Sequence, residues 1–129
     1  MAGEIIVLVT CPSMKGRDIA HKLVEEKLAA CVNIFPRVRS IYSWNGKVEE
    51  SNEELLMIKT LREFQQKIED RIKSLHPYDT PEIIYFPIEG GYQPYLDWLR
   101  SSVQMQESMT GLPTSALKEK VEVGGAPVD

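Results

Sequence analysis

Three side chains with complementary ligand chemistry stand within reach of a common fold element. His76 and Glu82 flank a loop held by Pro77 and Pro81, and Cys11 closes a β-prone run that begins at Ile5. An imidazole, a carboxylate and a thiolate together suit Cu or Zn. The same residues have a plainer use, in which His76 caps a helix end and Glu82 solvates the start of a strand. Nothing in either reading requires a permanently bound ion. A second set, Trp44, Glu49, Lys59, Tyr78 and Asp79, can line a polar cleft at a subunit boundary or serve as an interfacial hydrogen-bond and ion-pair network. His21 and Glu25 fall on one helix face at i,i+4 spacing, where plain solvation is the ordinary state. Catalytic signatures are missing: there is no G-x-S-x-G and no H-E-x-x-H, and Gly90-Gly91 lacks the lysine of a phosphate-binding loop. The chain therefore reads as a binding protein and not an enzyme. The alternative is an enzyme acting on a small molecule, with His76, Lys59 and Asp79 as acid, base and anchor in an intersubunit cleft.

The frame that must position these groups is small. The chain has 129 residues, 43% of them hydrophobic, which is enough for one core and too little for two. Against 15 Lys+Arg stand 19 Asp+Glu, a net charge of −4, so no general field favours nucleic acid or anionic lipid. The apolar run Ile5 to Val9 is far below the ~20 residues of a membrane span, and no basic segment precedes it as a signal peptide requires. A soluble, cytoplasmic protein is expected. Its two cysteines, Cys11 and Cys31, are expected as thiols in a reducing compartment.

Ile5 to Thr10 predicts a strand buried on both faces, followed by a helix capped by Ser13 and ending near Ala30. Cys31 to Trp44 and Lys47 to Lys59 predict a hairpin around Asn45-Gly46, the dipeptide favoured by a type I′ turn, with Pro36 marking an edge or bulge. Thr60 and Glu63 have the spacing of a capping box for a second helix, in which Leu61, Phe64, Ile68, Ile72 and Leu75 recur at three and four. His76-Pro77 ends it. Glu82 to Ile88 predicts a fourth strand, and Tyr92, Tyr95, Leu96, Leu99 and Val103 one side of a third helix. The order β-α-β-β-α-β-α makes the fold class α+β: a ferredoxin-like α/β sandwich whose antiparallel sheet carries a long hairpin. Residues 1–110 form the domain. Residues 111–129, mixed in Gly, Pro, Ser and charge, are expected as a flexible C-terminal appendage.

A return arm of about 13 residues extends ~43 Å, whereas a covering helix of about 16 reaches only ~24 Å. The hairpin overshoots its helices. Its tip bears Ile41, Tyr42, Trp44 and Val48, so pairing between subunits is expected, the alternative being a bulge that curls the hairpin over its own sheet. The segments Cys31-Val32-Asn33-Ile34, Ser40-Ile41-Tyr42-Ser43-Trp44-Asn45-Gly46-Lys47, Leu56-Met57-Ile58-Lys59-Thr60 and His76-Pro77-Tyr78-Asp79-Thr80-Pro81-Glu82-Ile83 together resemble the CutA family of divalent-cation-tolerance proteins over residues 4 to 103. The resemblance implies a cytoplasmic homotrimer with reversible binding of Cu2+ or other divalent cations and a role in the response to them. It also implies similarity to PII-like signalling trimers that bind small ligands between subunits. It points to the His of the His-Pro-Tyr motif, to the Glu after Thr80-Pro81 and to a first-strand cysteine as ligands. Here the cysteine departs from members that carry it just before the threonine, because Val9 precedes Thr10 and Cys11 follows it. Two positions along a strand are ~7 Å, so Cys11 falls at the edge of that site or outside it.

Overall fold

The computed structural model describes residues 3–108, and side chains through residue 103. The expected appendage lies outside the described residues. Along the chain run β1 (Glu4–Pro12), α1 (Gly16–Glu25), β2 (Cys31–Trp44), β3 (Lys47–Leu61), a 3-10 turn (Arg62–Phe64), α2 (Gln65–Leu75), β4 (Ile83–Pro87) and α3 (Gln93–Ser108). The strands form one antiparallel sheet in the order β2-β3-β1-β4, the ferredoxin-like arrangement.

Strand alternation divides this sheet into two unlike faces. Ile5, Val7, Val9 and Cys11 of β1, with Leu56 and Ile58 of β3, pack against Ile19 and Leu23 of α1 and Ile68 and Ile72 of α2. The intervening residues Ile6, Leu8 and Thr10 are only half-buried, so β1 is sealed on one face and not on both as its apolar run suggests. On this second face α3 covers one end, where Leu99, Val103 and Trp98 meet Leu61 and Ala30. Tyr92 stays outside that contact, 77% exposed, and Trp98 takes the buried place instead.

Helix boundaries depart from expectation where distant residues intervene. Ser13 is not the cap of α1; the carboxylate of Glu54 on β3 accepts from the backbone N–H of Met14 at 3.1 Å and of Gly16 at 2.9 Å. Gly16 permits that approach, since a Cβ there would lie 2.5 Å from Glu54 Oε1 and 2.9 Å from Leu56 Cδ2. The helix also ends early, at Glu25 rather than near Ala30. Lys27 turns left-handed (φ 61°), and Lys27 and Leu28 donate back to the carbonyls of Val24 and Leu23, the paired bonds of a Schellman motif. Thr60 belongs to β3 and makes no capping box, because its hydroxyl donates to the Leu28 carbonyl at 2.7 Å.

The hairpin follows its turn chemistry. Asn45 (φ 51°) and Gly46 (φ 76°) close the loop, and Trp44 faces Lys47. Register slips between Phe35, opposite Leu55, and Val38, opposite Glu53, with Arg37 left-handed at φ 58°. This is the bulge that Pro36 marks. The tip residues Ile41, Trp44 and Val48 are exposed within one chain.

Candidate functional site

At the end of the sheet away from α3, the open face deepens into a cleft of ≈ 460 Å³. Its floor is Thr10 on β1 and Glu53 on β3, one wall is Tyr42 and Trp44 from the hairpin, and the other is Tyr78, Asp79, Thr80 and Glu82 from the α2–β4 loop. Register explains the meeting: Glu53 pairs with Pro12 on one side and Val38 on the other, and Tyr42 lies four pairs further out on the same face as Val38.

His76 fastens the loop to the sheet. Its Nδ1 accepts the Tyr78 backbone N–H at 3.1 Å and its Nε2 lies 2.7 Å from the Thr10 carbonyl. A carbonyl can only accept and an amide N–H only donate, so the neutral ring with hydrogen on Nε2 is the tautomer that satisfies both. Both ring nitrogens are thereby occupied, in a side chain only 7% exposed. The Thr10 hydroxyl donates to Glu82 Oε1 at 3.2 Å, joining the far end of the loop to the same strand.

Tyr78 is held as firmly. Its ring lies 4.8 Å from that of His76, and its hydroxyl donates to Glu53 at 2.8 Å. Burial first, then the bond to Glu53 and the charge beside it, push the phenol up to about 12. Tyr78 is therefore a hydrogen-bond donor at neutral pH, and Glu53, itself buried, accepts its bond. Across the cleft the Tyr42 hydroxyl and Ser51 hydroxyl share a bond of 2.6 Å.

The residues singled out from sequence divide accordingly. Trp44, Tyr78, Asp79 and Glu82 come together in the cleft, with His76 behind them. Cys11 does not join them. It lies fully buried in the helix-side core, and burial, with the charges of Glu54 and Glu53 behind it, pushes its thiol up to about 11, away from the thiolate a metal needs. Glu49 is exposed on the hairpin and does not line the cleft. Lys59 belongs to the other end of the open face, opposite Ile6 and Cys31, where its ammonium donates to Asn33 at 2.6 Å and sits 5.8 Å from the centre of the Tyr95 ring. His21 and Glu25 are exposed on α1. Among the described residues no three His, Cys, Asp or Glu groups converge as a single-chain metal centre, so His76, Glu82 and Cys11 do not form one. Thr10, Tyr42, Glu53 and Thr80 are the lining residues that spacing alone did not single out. For Glu53, the usable signal was the length of β3, which carries it past the helices to the end of β1.

Comparison with known proteins adds independent findings. A sequence profile described as "CutA1 divalent ion tolerance protein" matches residues 5–102. The "Divalent-cation tolerance protein CutA" of Thermus thermophilus is 52% identical over 100 residues, covering 77% of this chain and 97% of that protein. "Protein CutA" of Homo sapiens is 46% identical over 107 residues, 81% of this chain; the match spans 60% of the human protein's length. Among solved structures, the Thermus thermophilus Cut A1 protein superposes with a TM-score of 0.75 at 52% identity, covering 77% of this chain and 97% of that one. CutA1 from Oryza sativa gives 0.76 at 46% identity, covering 77% and 92%.

Proposed function

The chain belongs to the CutA1 divalent ion tolerance protein family, and we propose that it acts as a homotrimer that binds divalent cations, Cu2+ among them, reversibly and without turnover. The observation that carries this reading is the charge of the cleft, whose lining includes Glu53, Asp79 and Glu82 and neither Lys nor Arg. Asp79 and Glu82, both exposed, are the carboxylates available to an incoming ion, while Glu53 is engaged by Tyr78. His76 reaches an ion only by giving up its bond to Tyr78 or to Thr10, which makes binding modest and couples it to the loop. The described residues of one chain supply too few converging ligands, and in this reading a neighbour provides the remaining ones.

Assembly has its own support. The open face carries Ile6, Leu8, Leu55, Met57, Phe35, Ile84 and Phe86, an apolar band on a single chain. Phe35, Ile84 and Phe86 stay exposed there, and among the described residues β4 and the outer half of β2 leave strand edges unpaired. Two free thiols suit the reducing cytoplasm, which we propose as its location.

Calorimetric titration of the purified protein with CuCl2 tests the cation reading. Glu82→Gln and Asp79→Asn should each weaken binding about tenfold, the loss of one charge-bearing ligand. Full affinity in both variants would remove the cleft as the cation site.

A further inference from the structure

A hydrated divalent ion makes no use of aromatic walls, yet three of them face the acidic groups of the cleft. Within one chain Trp44 is 63% exposed, Tyr42 41% and Tyr78 38%, so the chain's own fold leaves these rings at the opening and does not use them to fill its core. Exposed aromatic surface costs free energy in proportion to its area. Here it is grouped around carboxylates. Rings beside carboxylates, in a water-accessible hollow with no basic group in its lining, combine the two attractions that hold a weakly hydrated cation: the negative π-faces and a nearby full charge. A metal ion sheds its water reluctantly and prefers oxygen ligands gathered round one point, which the described residues of one chain do not provide. An alkylated ammonium sheds its water easily and needs no such convergence.

We propose that this cleft is a binding site for a small organic ammonium cation, quaternary or alkylated, with Trp44, Tyr42 and Tyr78 as its cage and Asp79 and Glu82 as its counter-charges. The volume of ≈ 460 Å³ falls inside the range of about 300 to 1,000 Å³ usual for small-molecule sites, with room for a hydrocarbon or hydroxyl-bearing substituent on the nitrogen. Parts of the cage are set before any ligand arrives. Glu53 holds the Tyr78 hydroxyl, Ser51 holds that of Tyr42, and His76 fixes the backbone beneath Tyr78, which limits the ordering cost of binding. Every group named comes from one chain, and the inference does not rest on the binding of a metal.

The test is a ligand-observed NMR titration of the full chain, in EDTA and at constant ionic strength, with choline and with its neutral isostere 3,3-dimethyl-1-butanol. Choline should bind saturably and the isostere about tenfold more weakly, the scale of a cation–ring contact reinforced by a carboxylate. Trp44→Leu and Glu82→Gln should each lower choline affinity by about tenfold, while Trp44→Phe, which keeps a ring, should lose less. If Trp44→Leu fails to fold, Glu82→Gln and Trp44→Phe carry the comparison. Equal affinity for the isostere would make the cleft merely apolar and overturn the proposal, as would absence of choline binding or indifference to all three substitutions. Because EDTA is present throughout, failure here leaves the Cu2+ titration untouched, and failure of that titration leaves this one standing.

Discussion

The two faces of one sheet use the same strands and meet opposite fates. On the helix side Val7, Val9, Leu56 and Ile58 are completely buried by α1 and α2. On the other side, their immediate neighbours Ile6, Leu8, Leu55 and Met57 are half-buried, and Phe86, opposite Ile6 on β4, is 46% exposed. Strand propensity does not separate the two sets, since both are aliphatic or aromatic. Only the covering elements differ, two helices against one that reaches a single end of the face. Among the described residues the first face is completed, and the second is left for the proposed association to complete.

The difference can be broken most visibly on the open side. Phe86→Asp places a charge where the proposed neighbour would pack, and burial of an unpaired charge is prohibitive. Light scattering should then show the single-chain mass of 14.7 kDa in place of about three times that value, with the chain still folded. An unchanged mass would mean that this face is not the assembly surface. On the helix side, Ile58→Ala should cost about 2 to 5 kcal/mol in denaturant unfolding, because it leaves a cavity between β3 and the helices. Its oligomeric mass should match the wild type under folding conditions. If this substitution costs less than about 1 kcal/mol, the contrast between the faces is weaker than burial implies.

The smallest effect comes from the thiol of the sealed face. Cys11 ionises at about 11 when folded against 9.0 ordinarily, so folding favours its protonated form. That contribution is whole below pH 9 and is lost as pH rises from 9 toward 11, at about 1 kcal/mol per unit. Cys11→Ala should be less stable at pH 7 but show a flatter decline above pH 9. Parallel declines in both proteins would place the alkaline sensitivity elsewhere.

What the sequence makes legible is local. Asn45-Gly46 specifies its turn through two left-handed residues, His76-Pro77 ends α2 through a steric clash, and Ile68 with Ile72 mark the buried side of that helix. What it hides depends on partners far along the chain. Ser13 is a plausible cap until Glu54, 40 residues from Met14, reaches the helix start first. Thr60 looks like a cap until the Leu28 carbonyl arrives beside it. The cleft divides the same way. Trp44, Tyr78 and Asp79 stand out by type, but setting Lys59 apart from them requires knowing how far along β3 each end of the face lies.

The bulge at Pro36 and Arg37 acts on the hairpin as a frameshift acts on a message. Before it, the residues that face the open side carry odd numbers: Cys31, Asn33 and Phe35, paired with Lys59, Met57 and Leu55. After it they carry even numbers, Val38, Ser40, Tyr42 and Trp44, paired with Glu53, Ser51, Glu49 and Lys47. Two residues of β2 are spent against Glu54 alone, and every later side chain changes sides. Read without that extra residue, the same letters would turn Tyr42 and Trp44 to the opposite face and bring Ile41 and Ser43 round in their place. The contents of the cleft are thus written in one frame and its floor in another, and a single inserted position keeps the two in step.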